Sequence, residues 1–491
     1  MSFSLDISYW QLVAMLFDYA IKFVMIGIVP SNRRPSAANA WLLLILLLPF
    51  IGLPLYLLMG SDFFNRRRHR IQQRARAEIN NVHTDIPDLP PDANLGADKE
   101  AIVRLHRALT GFPAVDANLR HVWSDYELAI RRIAQLIDAS ESYVDVEIYA
   151  VAWDDTTGIV FEAMERAVAR GVHVRLLLDH IGSQKYPGYR RMTRKLTRAG
   201  IDWYLMLPLQ PWRGRFRRPD LRNHRKVVIV DGHIAMMGSL NLIDRSYLMR
   251  NHRRAGRQWI DVFIELEGPI VTSLESMFAV DWYTESGEAI ELLPPRRLGV
   301  DKPGEHIVQL IPSGPGYETE PNLRMFNSLI HHARERLILC SPYFVPEDSL
   351  LEAVTTACYR GVRVDLLVGE KADQFMVNHA QSSYYEQLLR AGVHIWQFPA
   401  PYILHTKFAL ADPGRDTFVG VVGSSNMDMR SFSLNYESSL FVASGSLLDD
   451  LYTLARTYMN VSDELTLEEW SRRPWHRRYI DNVMKLTSAL Q

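Results

Sequence analysis

His224-Arg-Lys-Val-Val-Ile-Val-Asp231 and His405-Thr-Lys-Phe-Ala-Leu-Ala-Asp412 present the same pattern twice, His-x-Lys-x4-Asp. The apolar run after each Lys predicts a strand. Residues two apart project from the same face of a strand, so each imidazole should lie beside an ammonium group. That pairing favours the binding of a phosphate anion. A strand that merely ends in polar residues would explain one copy, but a second copy weighs against this alternative.

An internal repeat surrounds the two motifs, in the same order in both halves of the chain. Its matches are Arg170–Asp179 with Arg360–Gly369, Arg198–Gly200 with Arg390–Gly392, and Gly238-Ser-Leu-Asn241 with Gly423-Ser-Ser-Asn426.

Each half also has the same predicted elements, a β-rich run, a helix that ends at Gly171 or Gly361, and a buried strand directly after it. A strand–helix–strand unit predicts an α/β fold. We expect two mixed-sheet halves, residues 101–300 and 301–491, packed about a pseudo-twofold axis with one site on the seam.

Composition limits the function classes. The 491 residues carry a formal net charge of −1, which argues against a dedicated nucleic-acid-binding protein. Cys340 and Cys358 lie outside any CxxC pattern and have no neighbouring His at metal-ligand spacing. We therefore expect two reduced, buried thiols and no metal site.

The N-terminal region predicts a membrane anchor. Residues 41–59, WLLLILLLPFIGLPLYLLM, carry no charge and are long enough to cross a bilayer. Residues 9–29 are a second apolar stretch, weakened by Asp18 and Lys22, for which an interfacial amphipathic helix is the alternative. The first ten residues have no Lys or Arg, unlike a signal peptide. We expect residues 1–60 to form a transmembrane hairpin, with Pro49 and Pro54 tolerated inside its second helix.

Basic residues predict the orientation of this hairpin. Arg33 and Arg34 lie in its loop, and a larger cluster follows the second stretch, at Arg66, Arg67, Arg68, Arg70, Arg74 and Arg76. The larger cluster should remain in the cytoplasm, with the bulk of the protein, while the loop faces outward. Residues 61–100 are then a basic juxtamembrane segment followed by a linker rich in Pro and Asp.

The paired motifs resemble those of the phospholipase D superfamily and, within it, the bacterial cardiolipin synthases. The resemblance covers nearly the whole chain. It includes Arg33-Arg-Pro35, Ala40-Trp-Leu42, Pro312-Ser-Gly-Pro315 and Ser341-Pro-Tyr-Phe-Val-Pro346. It implies a multi-pass enzyme of the bacterial inner membrane that transfers a phosphatidyl group between two phosphatidylglycerol molecules, giving cardiolipin and glycerol.

The chemistry of a phosphodiester explains the residue types. A neutral imidazole can attack phosphorus to give a phosphohistidine, and a second imidazole can protonate the leaving alkoxide. Lys226 and Lys407 would hold the non-bridging oxygens, with further hydrogen-bond donors from Ser239, Asn241, Ser424 and Asn426. This design requires no metal or cofactor. The superfamily tendency assigns His224 as nucleophile and His405 as general acid/base, although the symmetric motifs do not settle the choice.

Each imidazole also needs a partner for its other ring nitrogen. The resemblance assigns Glu437 to this role in the second half and Asp261 in the first. The first half is longer here, with 20 residues from Asn241 to Asp261 against 11 from Asn426 to Glu437. The motif aspartates, Asp231 and Asp412, lie at strand ends beyond reach of their own histidines, which favours hydrogen bonding in turns.

Two flanking segments differ between the halves. Residues 212–222, before the first motif, contain five arginines, which suit a phosphate headgroup or an anionic surface. Residues 398–404, before the second motif, are apolar and suit acyl chains. An ordinary loop and an ordinary core strand are equally good explanations. The C-terminal segment 472–479 is a further candidate for membrane contact or a solvated amphipathic helix.

Other functions of the phospholipase D superfamily, and a non-catalytic one, are alternatives to the synthase reaction. A phospholipase D that uses water, or another phosphatidyl exchange enzyme, would need the same motifs. A superfamily nuclease fits poorly with the neutral charge, and intact motifs argue against a catalytically dead lipid-binding protein. No metal signature of the nucleotide-activated phosphatidyltransferases is present.

Overall fold

A computed structural model describes residues 9–31, 35–61, 70–71, 73–74, 77, 86–211, 215–290, 303–317, 319–372 and 374–486. The chain divides into two compact units. One comprises Met1–Arg67 with Leu209–Asp220, and the other comprises Arg68–Pro208 with Leu221–Gln491.

The N-terminal unit begins with a long apolar helix. Its helices are α1 (Tyr9–Ile28), α2 (Pro35–Leu47), α3 (Pro49–Leu55) and a π-helical turn (Tyr56–Gly60). Helix α1 is long and apolar enough to cross a bilayer. Its two charged residues neutralise each other, because Lys22 Nζ lies 2.7 Å from Asp18 Oδ2, one turn away. This helix agrees with the first predicted span.

The second predicted membrane helix is wrong. The chain leaves helical geometry at Leu48 (φ −134°), because a residue before proline disfavours the helical region. Helix α3 then folds back, so that the rings of Trp41 and Tyr56 are 5.6 Å apart. One continuous helix would hold those residues about 22 Å apart. Within the described ranges, α1 is the one candidate span.

The first half of the larger unit contributes a seven-stranded sheet. The elements that follow in chain order, among them β6 and β7 of the N-terminal unit, are α4 (Ala97–Thr110), β1 (Ala114–Asp116), β2 (Asn118–Trp123), α5 (Tyr126–Asp138), β3 (Tyr143–Ile148), α6 (Gly158–Ala169), β4 (His173–Asp179), α7 (His180–Gln184), α8 (Tyr189–Arg198), β5 (Asp202–Met206), β6 (Leu209–Gln210), β7 (Arg215–Phe216), β8 (Arg222–Asn223), β9 (Lys226–Val230), β10 (Ile234–Gly238), α9 (Arg250–Arg254), β11 (Trp259–Ile260), β12 (Phe263–Glu267) and α10 (Ile270–Ser286). The strand order is β2-β12-β10-β9-β3-β4-β5.

The second half builds its sheet in the same way. Its elements are β13 (Ile307–Ser313), α11 (Pro321–His332), β14 (Arg336–Cys340), β15 (Phe344–Val345), α12 (Asp348–Tyr359), β16 (Arg363–Gly369), α13 (Phe375–Ala391), β17 (His394–Phe398), β18 (Ile403–Leu404), β19 (Phe408–Ala411), β20 (Val419–Gly423), β21 (Met427–Asp428), α14 (Met429–Ser433), β22 (Asn435–Val442), α15 (Leu447–Asn460), β23 (Asp463–Leu465), α16 (Leu467–Ser471) and α17 (Trp475–Lys485). The order β13-β22-β20-β19-β14-β16-β17 repeats that of the first sheet, which confirms the predicted duplication and α/β class.

Alternating side chains of the motif strands explain how the sheets pack. Val227 and Ile229 of β9 lie in a core shared with Leu410 and Val422 of the second sheet. Val228 and the next alternate residue of β9 face the other way, into a core formed with α5 and α6. Each sheet is therefore covered on both faces, which accounts for the nearly unbroken apolar runs in the sequence.

The first residues of the predicted first half, from residue 101 onward, pack with the second sheet. Strand β1 pairs with β13 of the second sheet, with Ala114 opposite Gln309. Helix α4 buries Ile102 and Val103 in the core of the second half. The sheet of the first half therefore begins at β2, and the preceding residues belong by packing to the second half.

Two short strands cross between the halves, immediately before each motif. Strand β8 pairs in parallel with β22, and the His224 N–H donates to the Tyr436 carbonyl at 2.8 Å. Strand β18 pairs in parallel with β11, and the His405 N–H donates to the Ile260 carbonyl at 2.8 Å. Each motif histidine is thus anchored on the backbone of the other half.

Candidate active site

The two motif histidines both line a cavity of about 620 Å³. The ring centroids of His224 and His405 are 6.5 Å apart, and the rings are nearly perpendicular. Each Nδ1 is hydrogen-bonded to a carboxylate, so a reaction with substrate would use the Nε2 atoms. The separation leaves room for one phosphorus atom between two imidazoles.

The acidic partners are exchanged between the halves. His224 Nδ1 lies 3.0 Å from Glu437, and His405 Nδ1 lies 2.6 Å from Asp261. The prediction that each carboxylate serves the histidine of its own half is therefore wrong. The crossing strands explain the exchange, because β8 lies beside the strand that begins two residues before Glu437, and β18 lies beside the strand that precedes Asp261.

The residue between His and Lys strengthens each crossing. Arg225 donates from Nε to the Glu437 carbonyl at 3.1 Å, and its guanidinium pairs with Asp281. Thr406 donates from Oγ1 to the Ile260 carbonyl at 3.1 Å. One contact uses an arginine and the other a threonine, so the two crossings do not require the same side chain at this position.

The motif lysines are the buried cations of the site. Lys226 and Lys407 are 0% and 1% exposed, and each ammonium donates to the carbonyl of the histidine two residues before it. Burial lowers the pKa of Lys407 to about 8, against the pull of the nearby carboxylates, and lowers the pKa of Lys226 well below its usual range. A bound phosphate would offset this desolvation, which is the electrostatic basis for anion binding here.

Both imidazoles are held in the neutral form. Burial and then the charges of Lys226 and Lys407 lower the pKa of His224 well below its usual range. Burial and the charge of Lys407 lower the pKa of His405 to about 4, although Asp261 raises it. A neutral imidazole is the nucleophilic form, and an incoming phosphodiester anion would favour protonation of the second ring.

The two carboxylates differ in charge. Burial raises the pKa of Glu437 to about 7, with Lys226 and a hydrogen bond from Ser424 acting against it. Burial would also raise the pKa of Asp261, but the charge and hydrogen bond of His405 lower it below its usual range. At neutral pH, His405 therefore has an ionised partner and His224 has a partner that is only partly ionised.

The serines of the two Gly-Ser-x-Asn segments contact the carboxylates of the site. We expected the side chains of Ser239 and Ser424 to donate to phosphate, but they donate to Asp261 at 2.6 Å and to Glu437 at 2.5 Å. A hydroxyl has one proton, so these serines orient the carboxylates instead.

The asparagines do line the cavity, but their amides already have protein partners. Asn241 donates to the Tyr247 hydroxyl at 2.7 Å and accepts from the Ala150 N–H at 3.2 Å. Asn426 donates a hydrogen bond to Asp428. Each amide retains a second N–H that could serve a substrate oxygen.

The motif aspartates lie at the far ends of their strands. Asp231 accepts three backbone N–H bonds of 2.7–2.8 Å, from residues 141 to 143. Asp412 accepts backbone N–H bonds from residues 334 to 336 and a hydroxyl bond of 2.8 Å from Thr417. Both residues adopt left-handed backbone conformations, with φ of 52° and 56°. Their contacts match the predicted turn role.

Sequence reasoning missed most of the cavity wall. Tyr149 lies with its ring 5.1 Å from that of His224, and Tyr247, His252 and Trp259 line the side next to β11. All three lie between Asn241 and Asp261, in the stretch that is longer in the first half than in the second. The unequal spacing between Asn241 and Asp261 was a usable signal, but it did not reveal which of these side chains face the cavity.

The structure gives little support for substrate contacts by the two segments that precede the motifs. Residues 212–214 lie outside the described ranges, as do Arg33, Arg34 and most of the basic cluster after residue 61. Arg222 lines the cavity but is buried against Asp179 at 3.1 Å. Ile403 and its neighbour in β18 are buried, which fits a core strand better than an acyl-chain contact.

Metal binding finds no support within the part of the chain that the structure describes, where no cluster of three or more His, Cys, Asp or Glu side chains could hold an ion. Cys340 is buried and Cys358 is half-buried, and both are unpaired thiols. Burial raises the pKa of the Cys358 thiol to about 11, so it is not a reactive thiolate at neutral pH.

Family comparisons match most of the chain. A family described as cardiolipin synthase, PLD-like domain, matches residues 133–282 and again 326–457. A second, described as phospholipase D-nuclease N-terminal, matches residues 20–61. Each match of the first family covers most of one sheet, with β2 and β13 lying before the matched ranges.

Individual relatives extend the similarity to the whole length. Cardiolipin synthase A of Serratia proteamaculans is 34% identical over 492 residues, which covers 97% of this chain and 98% of that protein. The same enzyme of Edwardsiella ictaluri is also 34% identical, over 98% of this chain and 97% of its own. The crystal structure of phosphatidylserine synthase from Haemophilus influenzae shares the fold, with a TM-score of 0.60 at 14% identity over 79% of this chain and 99% of that one.

Proposed function

The chain belongs to the bacterial cardiolipin synthases of the phospholipase D superfamily, and we propose that it joins two phosphatidylglycerol molecules through a phosphohistidine at His224. It is a phosphatidyltransferase. The single observation that best supports the route is the pair of facing imidazoles, 6.5 Å apart, each held by a carboxylate of the other half. We further propose that the two halves are related by a pseudo-twofold axis between these rings.

The first step forms the covalent intermediate. Nε2 of neutral His224 attacks the phosphorus of one phosphatidylglycerol, and the bond from phosphorus to the glycerol headgroup oxygen breaks. Protonated His405 gives its Nε2 proton to that oxygen, so free glycerol leaves. Lys226 and Lys407 stabilise the charge on the non-bridging oxygens. The products are a phosphatidyl-histidine, glycerol and neutral His405.

The second step regenerates the enzyme. A headgroup hydroxyl of a second phosphatidylglycerol attacks the same phosphorus while Nε2 of His405 takes its proton. The bond between phosphorus and His224 breaks, releasing cardiolipin. His405 ends protonated and His224 neutral, as at the start. His405 therefore acts as the acid in the first step and as the base in the second, and His224 acts first as the nucleophile and then as the leaving group.

The difference between the two carboxylates supports this division of labour. An ionised carboxylate stabilises an imidazolium, and Asp261 is the acid whose pKa is lowered. Glu437, with a pKa of about 7, gives less support to a cation on His224. His405 is thus the better acid/base and His224 the better nucleophile.

A direct assay tests the reaction. The purified full chain is supplied with phosphatidylglycerol in detergent micelles, and cardiolipin, glycerol and phosphatidic acid are measured. We expect cardiolipin and glycerol in equal amounts, with both lost in His224→Ala and both unchanged in a control at an exposed histidine, His121→Ala. Phosphatidic acid without cardiolipin would indicate a hydrolase, and activity in His224→Ala would contradict the route.

The N-terminal unit suggests how the enzyme sits in the bacterial inner membrane. Helix α1 crosses once, and the α2–α3 hairpin enters the bilayer and returns to the same side. Helix α2 has 13 residues, about 20 Å, which is shorter than the roughly 30 Å hydrocarbon core. This topology puts Arg33, Arg34 and the basic cluster after residue 61 on one side, as the positive-inside rule favours. That side is the cytoplasm, and it holds the catalytic part.

Cysteine labelling distinguishes this topology from two full spans. Ser2→Cys and Ser61→Cys are treated with a membrane-impermeant maleimide before and after the inner membrane is opened. One crossing predicts that Ser2→Cys reacts from outside and Ser61→Cys reacts only after opening. The wild-type chain, with its buried Cys340 and half-buried Cys358, gives the background. Equal accessibility of both positions would establish two spans or none.

A further inference from the structure

Tyr149 lies at the end of the strand beside the first motif. Strand β3 pairs antiparallel with β9, and its last residue, Ile148, is opposite Lys226. Tyr149 is the next residue along the chain, and its side chain lines the active-site cavity. The two reaction steps described above do not use this tyrosine.

The ring of Tyr149 lies against both reactive groups of the first motif. Its centroid is 5.1 Å from that of the His224 ring, and the two rings meet edge to face at 67°. The Lys226 Nζ lies over the same ring, 5.5 Å from its centroid, within the distance at which an aromatic face attracts a cation. The Nζ of the exposed Lys185 is 5.7 Å from that centroid. One side chain therefore contacts the histidine and the lysine of the motif together.

Helix α7 fixes the position of this ring. A Cβ atom at Gly182 would lie 2.6 Å from a carbon of the Tyr149 ring and 2.5 Å from the Tyr149 carbonyl oxygen, so only glycine fits there. Ser183 Oγ donates to that carbonyl at 3.2 Å. Asp179 accepts N–H bonds from Gly182 at 2.7 Å and from Asn223 at 2.9 Å, which joins α7 to the start of the first motif.

The ammonium form of Lys226 is the form that burial disfavours. Nζ is buried and donates to the His224 carbonyl at 2.6 Å. Burial lowers the pKa of Lys226 well below its usual range, and the charge of Lys407 lowers it further. Three carboxylates act in the other direction, those of Glu437, Asp261 and Asp179. An aromatic face adds attraction for the cation without placing another charge in the buried site.

We propose that Tyr149 is a positioning residue for the first motif, whose ring stabilises the ammonium form of Lys226 and limits rotation of the His224 imidazole. The assignment rests on the function proposed above, in which Lys226 holds the phosphate and His224 attacks it. Because Glu437 holds Nδ1 of His224, a restraint on the plane of the ring fixes the direction of Nε2. The aromatic face keeps a cation available for the substrate anion.

Sulfate binding tests the effect on Lys226 without turnover. Sulfate is tetrahedral, like phosphate, and keeps a constant charge between about pH 6 and 9. Tyr149→Phe keeps the aromatic face and should bind sulfate as wild type does. Tyr149→trifluorophenylalanine keeps nearly the same shape, but fluorine withdraws negative charge from the ring face. Its sulfate affinity should fall about fivefold at pH 8 and less at pH 6, where protonation of Lys226 is easier.

Calorimetric titration of the purified full chain provides the measurement. Lys226→Met should lose most of the sulfate binding, which places the anion at this lysine. Equal affinity in Tyr149→Phe and the fluorinated variant would overturn the role at Lys226. An equal loss in both would also overturn it, because the hydroxyl and not the ring face would then be responsible.

Further results of the same titration separate this assignment from the proposed reaction. Sulfate that fails to bind wild type, or that binds Lys226→Met as well as wild type, would overturn the role at Lys226. Wild type that binds sulfate at Lys226 but makes no cardiolipin would contradict the synthase reaction and leave the contact between Tyr149 and Lys226 intact.

The restraint on His224 is tested with a nitrophenyl phosphodiester at saturating concentration, where anion binding no longer limits the rate. The burst rate of nitrophenol release should fall about tenfold in Tyr149→Leu, because the imidazole is less well aligned, and Tyr149→Phe should restore it. The matched control is Tyr359→Leu, at an exposed tyrosine of α12, which should keep the wild-type rate. A wild-type burst rate in Tyr149→Leu would overturn the restraint on His224.

Discussion

The two histidine–carboxylate pairs have the same geometry but different charge. In each, the imidazole of one half contacts an acid of the other, and a serine hydroxyl orients that acid. Burial raises the pKa of Glu437 to about 7, whereas contact with His405 holds the pKa of Asp261 below its usual range. We therefore propose that duplication supplies two similar sets of reactive groups, which take different roles because their surroundings differ.

Removing one imidazole at a time should give the largest effect. With phosphatidylglycerol, His224→Ala and His405→Ala should each lose about 10⁴-fold or more in kcat. With a nitrophenyl phosphodiester, whose leaving group needs no proton, His405→Ala should recover a burst of nitrophenol. His224→Ala should give no burst, since it lacks the nucleophile. A burst from His224→Ala alone would reverse the two roles.

Neutralising Glu437 should give a smaller effect that depends on pH. A neutral Glu437 can donate its proton to Nδ1 of His224 and leave Nε2 protonated, so wild-type kcat/KM should rise as pH increases through about 7. Glu437→Gln should therefore cost little near pH 6 and more, about tenfold, near pH 8.

Asp261→Asn provides the contrast to that variant. Its carboxylate has a lowered pKa and is ionised across this range, so the loss should be about 10²–10³-fold at both pH values. The pH profiles of kcat/KM for wild type and both variants provide the measurement. Parallel profiles for the two variants would mean that the carboxylates are equivalent.

The motif aspartates should show the smallest difference between the halves. Asp412 accepts a bond from Thr417 in addition to three backbone N–H groups, whereas the bonds of Asp231 come from backbone alone. Asp412→Asn should lower the unfolding temperature by about 2–4 °C and Asp231→Asn by roughly 1–2 °C, with full activity in the folded protein. Thermal unfolding and specific activity measured on the same samples test this order. A loss of activity without loss of stability would give these residues a catalytic role.

The sequence predicted local chemistry better than long-range partners. The spacing of His224 and Lys226 predicted their shared strand face, and the repeat predicted two matching α/β halves, whose sheets do share one strand order. The exchange of Asp261 and Glu437 could not be predicted, because it depends on β8 and β18 joining the opposite half. Those strands are two residues long and carry no distinctive pattern.

The N-terminal region shows a second limit of prediction. Hydropathy alone marked residues 41–59 as the stronger span, since every residue is apolar. Backbone sterics at Leu48, before Pro49, decide the outcome instead, and the chain turns back on itself. The weaker stretch, with its internal Asp18–Lys22 pair, forms the continuous helix.

Identification of the phosphorylated histidine tests the central claim most directly. His405→Ala is mixed with the nitrophenyl phosphodiester, quenched in alkali to preserve phosphohistidine, digested and sequenced by mass spectrometry. Its matched sample is wild type, quenched during turnover of phosphatidylglycerol. The two-role account predicts the phosphoryl adduct on the peptide that contains His224 in both samples. An adduct on the peptide that contains His405 in wild type would contradict it.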